Sequence, residues 1–553
     1  MLLDNSSAMI SAWPDKKLRP GKIFLILLIF CQPCLDILSF ALAVHGYGNA
    51  VSTLLRGSIM LLLVGGGLYF APDRRYRLVA LCIDIGCVVF WLVHFWIGRL
   101  SGITAVTADL ANYLKLAQLP VATVCLINLF GGERRVLRRI FWRCAAGVFG
   151  LICLLDLIAL LSGSFCYTYV DLHHGLLGWY QNANAQSNIL AVLYPLTLYA
   201  LFRAADDALA SNCCGGKLQQ LLCRPSCFAL CFGAVTLAGG LRLFFFGTRV
   251  TFYSLPATAA AMLLSLLGYY FYLRTRAKVA RRGGVGEEDF GGATTMTSGE
   301  TTTARWQSGI NLLKIVVICP ILVAILAFAF KSYSPMQQMR EQDFAIASSA
   351  AQNMIKKLPR LDGKKHEYSL EDLRPLYEFY MPSIVKEFGL REVVTAYNSS
   401  TDFTVLRNVR TQKIHFAALR LAQSPAALRW TGLNFATMSV PWEVGSYDLE
   451  SDAQALYYYN GYIGVTLFLL GLLCLVIMLG KHIRRVGSRK FWQNHEILIA
   501  GYGVALLLAA ALVGGSVLRR PSVSIYLAAL LAIAWCDLVE SYSAAGGGCR
   551  LSD

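Results

Sequence analysis

Long apolar runs alternate with short basic clusters along most of this chain. The runs fall at residues 23–44, 50–71, 78–97, 110–130, 140–162, 187–203, 226–244, 250–273, 308–330, 456–480, 496–517 and 522–540. Most come near the roughly 20 residues that an α-helix needs to cross about 30 Å of hydrocarbon, so the pattern predicts about twelve transmembrane helices. One long interval interrupts it. Residues 331–455 are polar and carry helical periodicity broken by Pro and Gly, which predicts a large helical domain outside the membrane. Within that interval residues 336–358 read as an amphipathic helix, Ser369-Leu-Glu-Asp372 as a capping box opening another, and residues 403–422 as a third. The expected fold class is an all-α polytopic membrane protein.

Composition and charge sharpen this picture. Apolar residues make up 56% and charged residues 15%, whereas a soluble chain carries about a quarter charged residues. Basic residues follow every even-numbered run: Arg74, Arg75 and Arg77; Arg134, Arg135, Arg138 and Arg139; Lys217 and Arg224; Arg274, Arg276, Lys278, Arg281 and Arg282; Lys481, Arg484, Arg485, Arg489 and Lys490. The positive-inside rule then predicts that both termini are cytoplasmic and the large domain outside. Residues 1–22 are the cytoplasmic N-terminus and 23–330 hold spans one to nine, with a cytoplasmic linker near 274–307. The domain at 331–455, spans ten to twelve at 456–540 and a tail at 541–553 complete the chain. Lys16, Lys17, Arg19 and Lys22 lead into a full-length span, not a cleavable signal, so the first span is expected to stay in the membrane.

The net charge of +17 suggests nucleic acid at first sight. Its confinement to the membrane-flanking clusters assigns it to topology and lipid headgroups instead, and nucleic acid is not expected as a partner. The 17 cysteines sit mostly in apolar runs and read as small hydrophobes. No metal or cofactor is expected.

Charges inside hydrocarbon cost on the order of 3 kcal/mol, so each needs a partner or a task. Asp36 in the first run and Arg56 in the second lie at matching depth and predict a structural ion pair. His94 and Lys115 flank the outer end of the next hairpin, and Asp156 lies toward the outer end of span five. Polar residues thus concentrate in the outer half of the membrane. His173, Trp179, Asn182 and Asn184, before span six, mix aromatic faces with amides and suit sugar rings. Arg242 and Arg249, at the outer turn between spans seven and eight, run against the positive-inside trend and suit phosphate. Arg407 and Arg410 are three apart, on one face if helical. Glu450 and Asp452, just before span ten, are candidate bases.

Taken together these segments resemble the O-antigen ligase and O-antigen polymerase family of bacterial envelope glycosyltransferases. Those carrying the likeness are Gln32-Pro33-Cys-Leu-Asp36 with Arg56, Gly178-Trp-Tyr-Gln-Asn182-Ala-Asn184, Gly247-Thr-Arg249, and Arg407-Asn-Val-Arg410. Glu450-Ser-Asp452 leading to Gly461-Tyr-Ile-Gly464, and Gly515-Ser-Val-Leu-Arg-Arg-Pro521, extend it. The resemblance implies a GT-C-like fold in a bacterial cytoplasmic membrane, with its active site facing outward. The implied activity is metal-independent transfer or polymerisation of a polyprenyl-diphosphate-linked glycan onto an acceptor hydroxyl, supplied by a glycan or another molecule. Membrane lipid is the other implied partner. Arg249 and Arg410 with Glu450 and Asp452 would then be catalytic, and Arg242, Arg407, Trp179, Asn182, Asn184 and His173 would bind substrate. The family's His-Asn pair before the span after the large loop is missing, since Glu450-Ser-Asp452-Ala-Gln-Ala stands there. The competing reading is a transporter or flippase for lipid-linked glycans. The lack of repeated halves and the long loop stand against it.

Overall fold

The computed structural model describes residues 18–47, 50–102, 106–131, 134–169, 173–210, 224–281, 299–342, 345, 368–440 and 447–546. Nine long helices come first: α1 (Leu18–Val44), α2 (Ala50–Tyr69), α3 (Arg74–Leu100), α4 (Val106–Phe130), α5 (Arg134–Leu161), α6 (Ala183–Ala210), α7 (Pro225–Phe246), α8 (Arg249–Arg281) and α9 (Gly299–Ala329). The polar interval then gives α10 (Leu370–Tyr380), α11 (Pro382–Phe388), α12 (Leu390–Ala396), α13 (Phe403–Leu406), α14 (Val409–Gln423) and α15 (Leu428–Thr431). Last come α16 (Asp452–Val486), the short α17 (Ser488–Gln493), α18 (His495–Val513) and α19 (Pro521–Gly546). Eleven of the long helices are apolar enough over their described residues to cross a membrane, and α9 adds a shorter apolar stretch at Leu313–Ala329. The protein is a predominantly α-helical, multi-pass membrane protein.

Burial sorts these helices into an inner and an outer set. The apolar windows of α6 and α19 are 83% buried, whereas those of α3 and α16 are 11% and 6% buried. So α6 and α19 form the centre of the bundle, and α3 and α16 present Leu92, Val88, Leu469 and Val476 outward, as lipid requires. Around the centre, α19 packs on α4 and α18, α5 on α1 and α6, and α8 on α6, α9 and α18.

The domain between α9 and α16 has a core of its own, around Leu373, Tyr377, Ile384, Val393, Phe416 and Leu433. Its helix α10 opens as the sequence predicts. Ser369 accepts from Asp372 N, and the Asp372 side chain returns the bond to the Ser369 backbone. The expected helix at 403–422 is instead two helices. Asn408 takes extended backbone angles and its side chain accepts from Arg410 N and Thr411 N, which starts α14 afresh. Arg407 therefore ends α13 while Arg410 sits in the first turn of α14, and the two share no helix face. Most of the predicted helix at 336–358, the linker core at 283–298 and Lys217 lie outside the described residues.

Two features dock this domain on the bundle. Gly461, with φ of 61° and ψ of −163°, breaks α16 one third of the way along. The break leaves the Tyr458 carbonyl to accept from Leu433 N at 2.6 Å, so α15 seats in the kink. On the other side, His94 Nδ1 of α3 pairs with the Thr431 carbonyl at 2.8 Å, and the Asp109 carboxylate of α4 accepts from Phe435 N at 3.2 Å. His94 thus pairs with Asp109 and Thr431, and Lys115 bonds Asn112 at 3.2 Å.

The segment between α5 and α6, expected as a loop, contains a small antiparallel hairpin, β1 (Cys166–Tyr169) and β2 (His174–Gly178). It lies against the end of α7. Thr168 Oγ1 donates to the Phe246 carbonyl at 2.6 Å and Tyr169 to the Gly247 carbonyl at 2.9 Å. Its alternation was masked in the sequence by the aromatic content that suggested sugar contact.

Candidate functional site

The turn between α18 and α19, residues 514–520, is the structural centre of the domain-facing end. Asn188, in the buried first turns of α6, donates to the Gly515 carbonyl at 2.9 Å. Asp452 is fully buried, and its Oδ2 accepts from Val517 N at 2.6 Å and Leu518 N at 2.9 Å. Arg519 closes the assembly. It donates to Asp448 Oδ1 at 2.6 Å and to the Leu449 carbonyl, lies 3.5 Å from Asp452 Oδ1, and covers the Tyr459 ring. Asp452 therefore pins the turn to the start of α16. An inaccessible carboxylate with two amides on one oxygen and a guanidinium by the other is poorly disposed to take a proton from an acceptor. The role expected for it from the sequence does not fit this placement.

Just outside this knot, Arg410 Nε donates to Glu450 Oε2 at 2.7 Å and Lys413 Nζ to Glu450 Oε1 at 3.1 Å. Arg410 also reaches the Val513 carbonyl at 3.3 Å. Burial would raise the Glu450 carboxyl, but these two cations outweigh it and hold it below the usual carboxylate range. Arg410 remains 43% exposed at its side chain, so three of its five donors can serve a ligand arriving from outside. Arg249 opens α8 and is exposed, with no ion pair among the described residues. Its neighbour Val250 packs beside Gly514, next to the Gly515–Glu450 contact, which puts Arg249 and Arg410 around the same turn.

On the inner side of the turn lies a second set of cations. Arg56 Nη2 donates to Asp36 Oδ1 at 2.7 Å, the pairing that matched depth predicts. Arg520 follows Arg519 and caps α19, and no hydrogen bond or ion pair engages its side chain among the described residues. Its nearby charges are Arg519, Asp448, Arg56 and Asp36. Lys115 shares the charge environment of Arg520, Asp448, Arg519 and Arg56, and among the described residues it hydrogen-bonds only the Asn112 amide oxygen. The hydroxyls of Tyr180 and Tyr526, both near Asp36, are buried without a hydrogen-bond partner among the described residues. Arg520 also stands at the N-terminus of a 26-residue helix, where the backbone dipole favours an anion. Among the described residues neither of these half-buried cations forms an ion pair, and they stand beside a positive helix end, an arrangement suited to an anion.

Arg519, Arg520, Lys115 and Lys413 are not among the site residues expected from the sequence. The sequence carries a signal for the arginine pair: two arginines in a turn expected to lie outside, the same anomaly that singles out Arg242 and Arg249. Arg242 itself is committed elsewhere. It donates to Asp156 Oδ2 at 2.6 Å and to the Leu176 carbonyl at 2.6 Å, tying α5, α7 and the hairpin together. A substrate role for it conflicts with that burial. Asn182 caps α6 through Ala185 N at 2.8 Å, and Trp179 Nε1 donates to the Ser164 carbonyl at 3.1 Å. Asn184 is half-buried beside them, and His173 is exposed, edge-on to Tyr167. Arg407 is half-buried at the end of α13. An open cavity of about 440 Å³ nearby is lined by His174, Gln338, Glu341, Gln342 and Ala345, and by none of the predicted arginines. Among the described residues no group of three or more His, Cys, Asp or Glu is disposed to hold a metal ion.

Residues 303–541 match the model of a family described as O-antigen ligase like membrane protein. The match runs from α9 through the domain to α19, so it contains Arg410, Glu450, Asp452, Arg519 and Arg520. The resemblance read from the sequence is borne out over that stretch. No curated protein matches the chain.

Proposed function

We propose that this chain, an O-antigen ligase-like membrane protein over residues 303–541, is a glycosyltransferase that moves a glycan from a polyprenyl diphosphate to an acceptor hydroxyl at the outer membrane face. The observation that carries this reading is the turn at 514–520, ringed by Arg249 and Arg410 on one side and by Arg520 and Lys115 on the other. Breaking the bond between the anomeric carbon and the diphosphate oxygen leaves negative charge on that oxygen. Fixed guanidinium groups stabilise such charge as it develops, and Arg does so in two-pronged fashion.

The acceptor hydroxyl attacks the anomeric carbon, and its proton must go to a base. Glu450 is the carboxylate in position to be freed. At rest both its oxygens are held by Arg410 and Lys413. A diphosphate competes for Arg410, and as the guanidinium turns to it one Glu450 oxygen is released and its proton affinity rises. Donor binding then prepares the base, and the proton passes from the acceptor oxygen to Glu450 and on to water while polyprenyl diphosphate departs. Asp36 and Arg56 hold α1 to α2 beside the inner cations. Trp179, Asn182, Asn184, His173 and Arg407 remain the proposed glycan contacts. The positive-inside pattern orients the domain outward, with both termini cytoplasmic.

The test is transfer in vesicles carrying polyprenyl-diphosphate glycan. Arg410→Ala is expected to abolish transfer while insertion and expression stay intact, and full transfer in that variant would sink the reading.

A further inference from the structure

At the opposite end of the bundle, away from the domain, α5, α6 and α18 enclose a cavity of about 190 Å³ that the proposed reaction does not use. Its lining includes Arg139 and Arg143 of α5, Arg203 of α6, Trp142, Asp207 and Glu496. We propose that this cavity binds a phosphate group, that of an anionic phospholipid headgroup or of a soluble phosphate.

Arg203 is engaged by Asp206 at 3.3 Å and His495 at 3.2 Å. The positive-inside trend explains why arginines occur here, but not why Arg139 and Arg143 line a cavity with no hydrogen-bonded acceptor among the described residues. Arg139 and Arg143 are four apart, hence stacked on one helix face, where like charges repel. Arg139 is 53% exposed, and Asp207, at 3.9 Å, is beyond hydrogen-bond length. The same carboxylate is 3.9 Å from Arg203, so it is shared at the limit of reach between two cations. Arg143 is exposed, with no ion pair among the described residues. Glu496, the other acid of the lining, accepts from Trp142 Nε1 at 2.9 Å and forms no ion pair among the described residues. Small side chains, Ala200 and Ala204, leave the room.

A bound phosphate would relieve the repulsion between Arg139 and Arg143 and use their planar forks in pairs. The volume exceeds the roughly 30 Å³ share of one water several-fold, enough for a phosphate with a short ester arm. Basic pockets between helices at a membrane boundary are suited to anionic headgroups.

The test uses the full chain, purified in detergent, and reads thermal unfolding and retained ligand by native mass spectrometry. Phosphatidylglycerol is compared with phosphatidylcholine, and sodium phosphate with sodium chloride at equal ionic strength. The expected result is stabilisation by phosphatidylglycerol, with affinity at least tenfold weaker in Arg139→Gln/Arg143→Gln. A charge-matched control, Arg340→Gln/Arg391→Gln, alters exposed arginines near or in the domain and should leave binding as it was. Stabilisation by inorganic phosphate alone, lost in the same double variant, supports the site and names the soluble ion as its ligand. Equal binding by the double variant, or no effect of either phosphate form on the unaltered chain, overturns the proposal. Both arginines are exposed, so their loss should not prevent folding.

Discussion

Arg520→Met should make the protein more stable and much less active, an opposition that only an unspent charge produces. Arg520 is half-buried, caps α19, and faces Arg519 and Arg56 with no bonded acceptor among the described residues. Burial and then the charge of Arg519 hold its guanidinium below the ordinary arginine value, so the folded state strains against this charge. Methionine keeps much of the stem and removes the charge. Replacing buried charges by apolar groups of similar volume is often neutral or stabilising by about 1–4 kcal/mol, and a gain of roughly 1 kcal/mol is expected here. Against that, a hydrogen bond to a charged group is worth about 1.5–3 kcal/mol. Losing it from the transition state lowers kcat/KM by about ten- to about a hundredfold. The assays are thermal unfolding in detergent and initial transfer rates in vesicles. A lower Tm together with an unchanged rate would refute the reasoning, because it would make Arg520 a structural residue. Arg519→Met supplies the contrast. It removes the cation beside Asp448 and the fully buried Asp452, leaving Asp448 the Tyr459 hydroxyl and Asp452 its two amides, and should destabilise by about 3 kcal/mol, the lower end for a broken buried pair.

Further outcomes follow from the same geometry. Arg249→Ala should abolish transfer without loss of insertion, whereas Arg249→Lys, which keeps the charge and loses the fork, should retain part of it; equal rates in both would show that the fork is dispensable. Glu450 has its pKa depressed below the ordinary 4.5. Its pairing with Arg410 and Lys413 thus stabilises the fold fully above that value and is lost as pH falls through the lower folded value. Glu450→Gln should flatten this acid-side loss in unfolding scans and also abolish transfer; an unchanged acid limb would place the pairing elsewhere. Asp452→Asn should lower Tm more than Glu450→Gln does, because it weakens a buried clamp, and a purely catalytic loss at unchanged Tm would contradict that placement. Gly461→Val adds a side chain at a positive φ against the Trp430 backbone, and should cost upwards of roughly 2 kcal/mol, read as reduced yield of folded protein.

The spans were legible because twenty apolar residues can do little else, and the Asp36–Arg56 pair because two helices joined by a short turn must bring equal depths together. The break at Gly461 was not, since a glycine in an apolar run looks the same whether or not another backbone needs its space. Asn408 shows the same limit. Its capping of α14 separates Arg407 from Arg410, and a periodic pattern read through it merges two helices. The acids were the hardest to assign. Glu450 and Asp452 are two residues apart, yet one faces two cations at the surface and the other is sealed beneath the turn. Only the position of residues 514–520, over 60 places along the chain, separates them.

The most direct test of the account follows both halves of the donor. With the purified chain in vesicles carrying polyprenyl-diphosphate glycan and an acceptor, one polyprenyl diphosphate should be released for each glycosidic bond formed. The ratio should hold with a chelator present. Passage of the intact lipid-linked glycan across the bilayer, with no diphosphate released, would contradict the account and make the arginines a transport path.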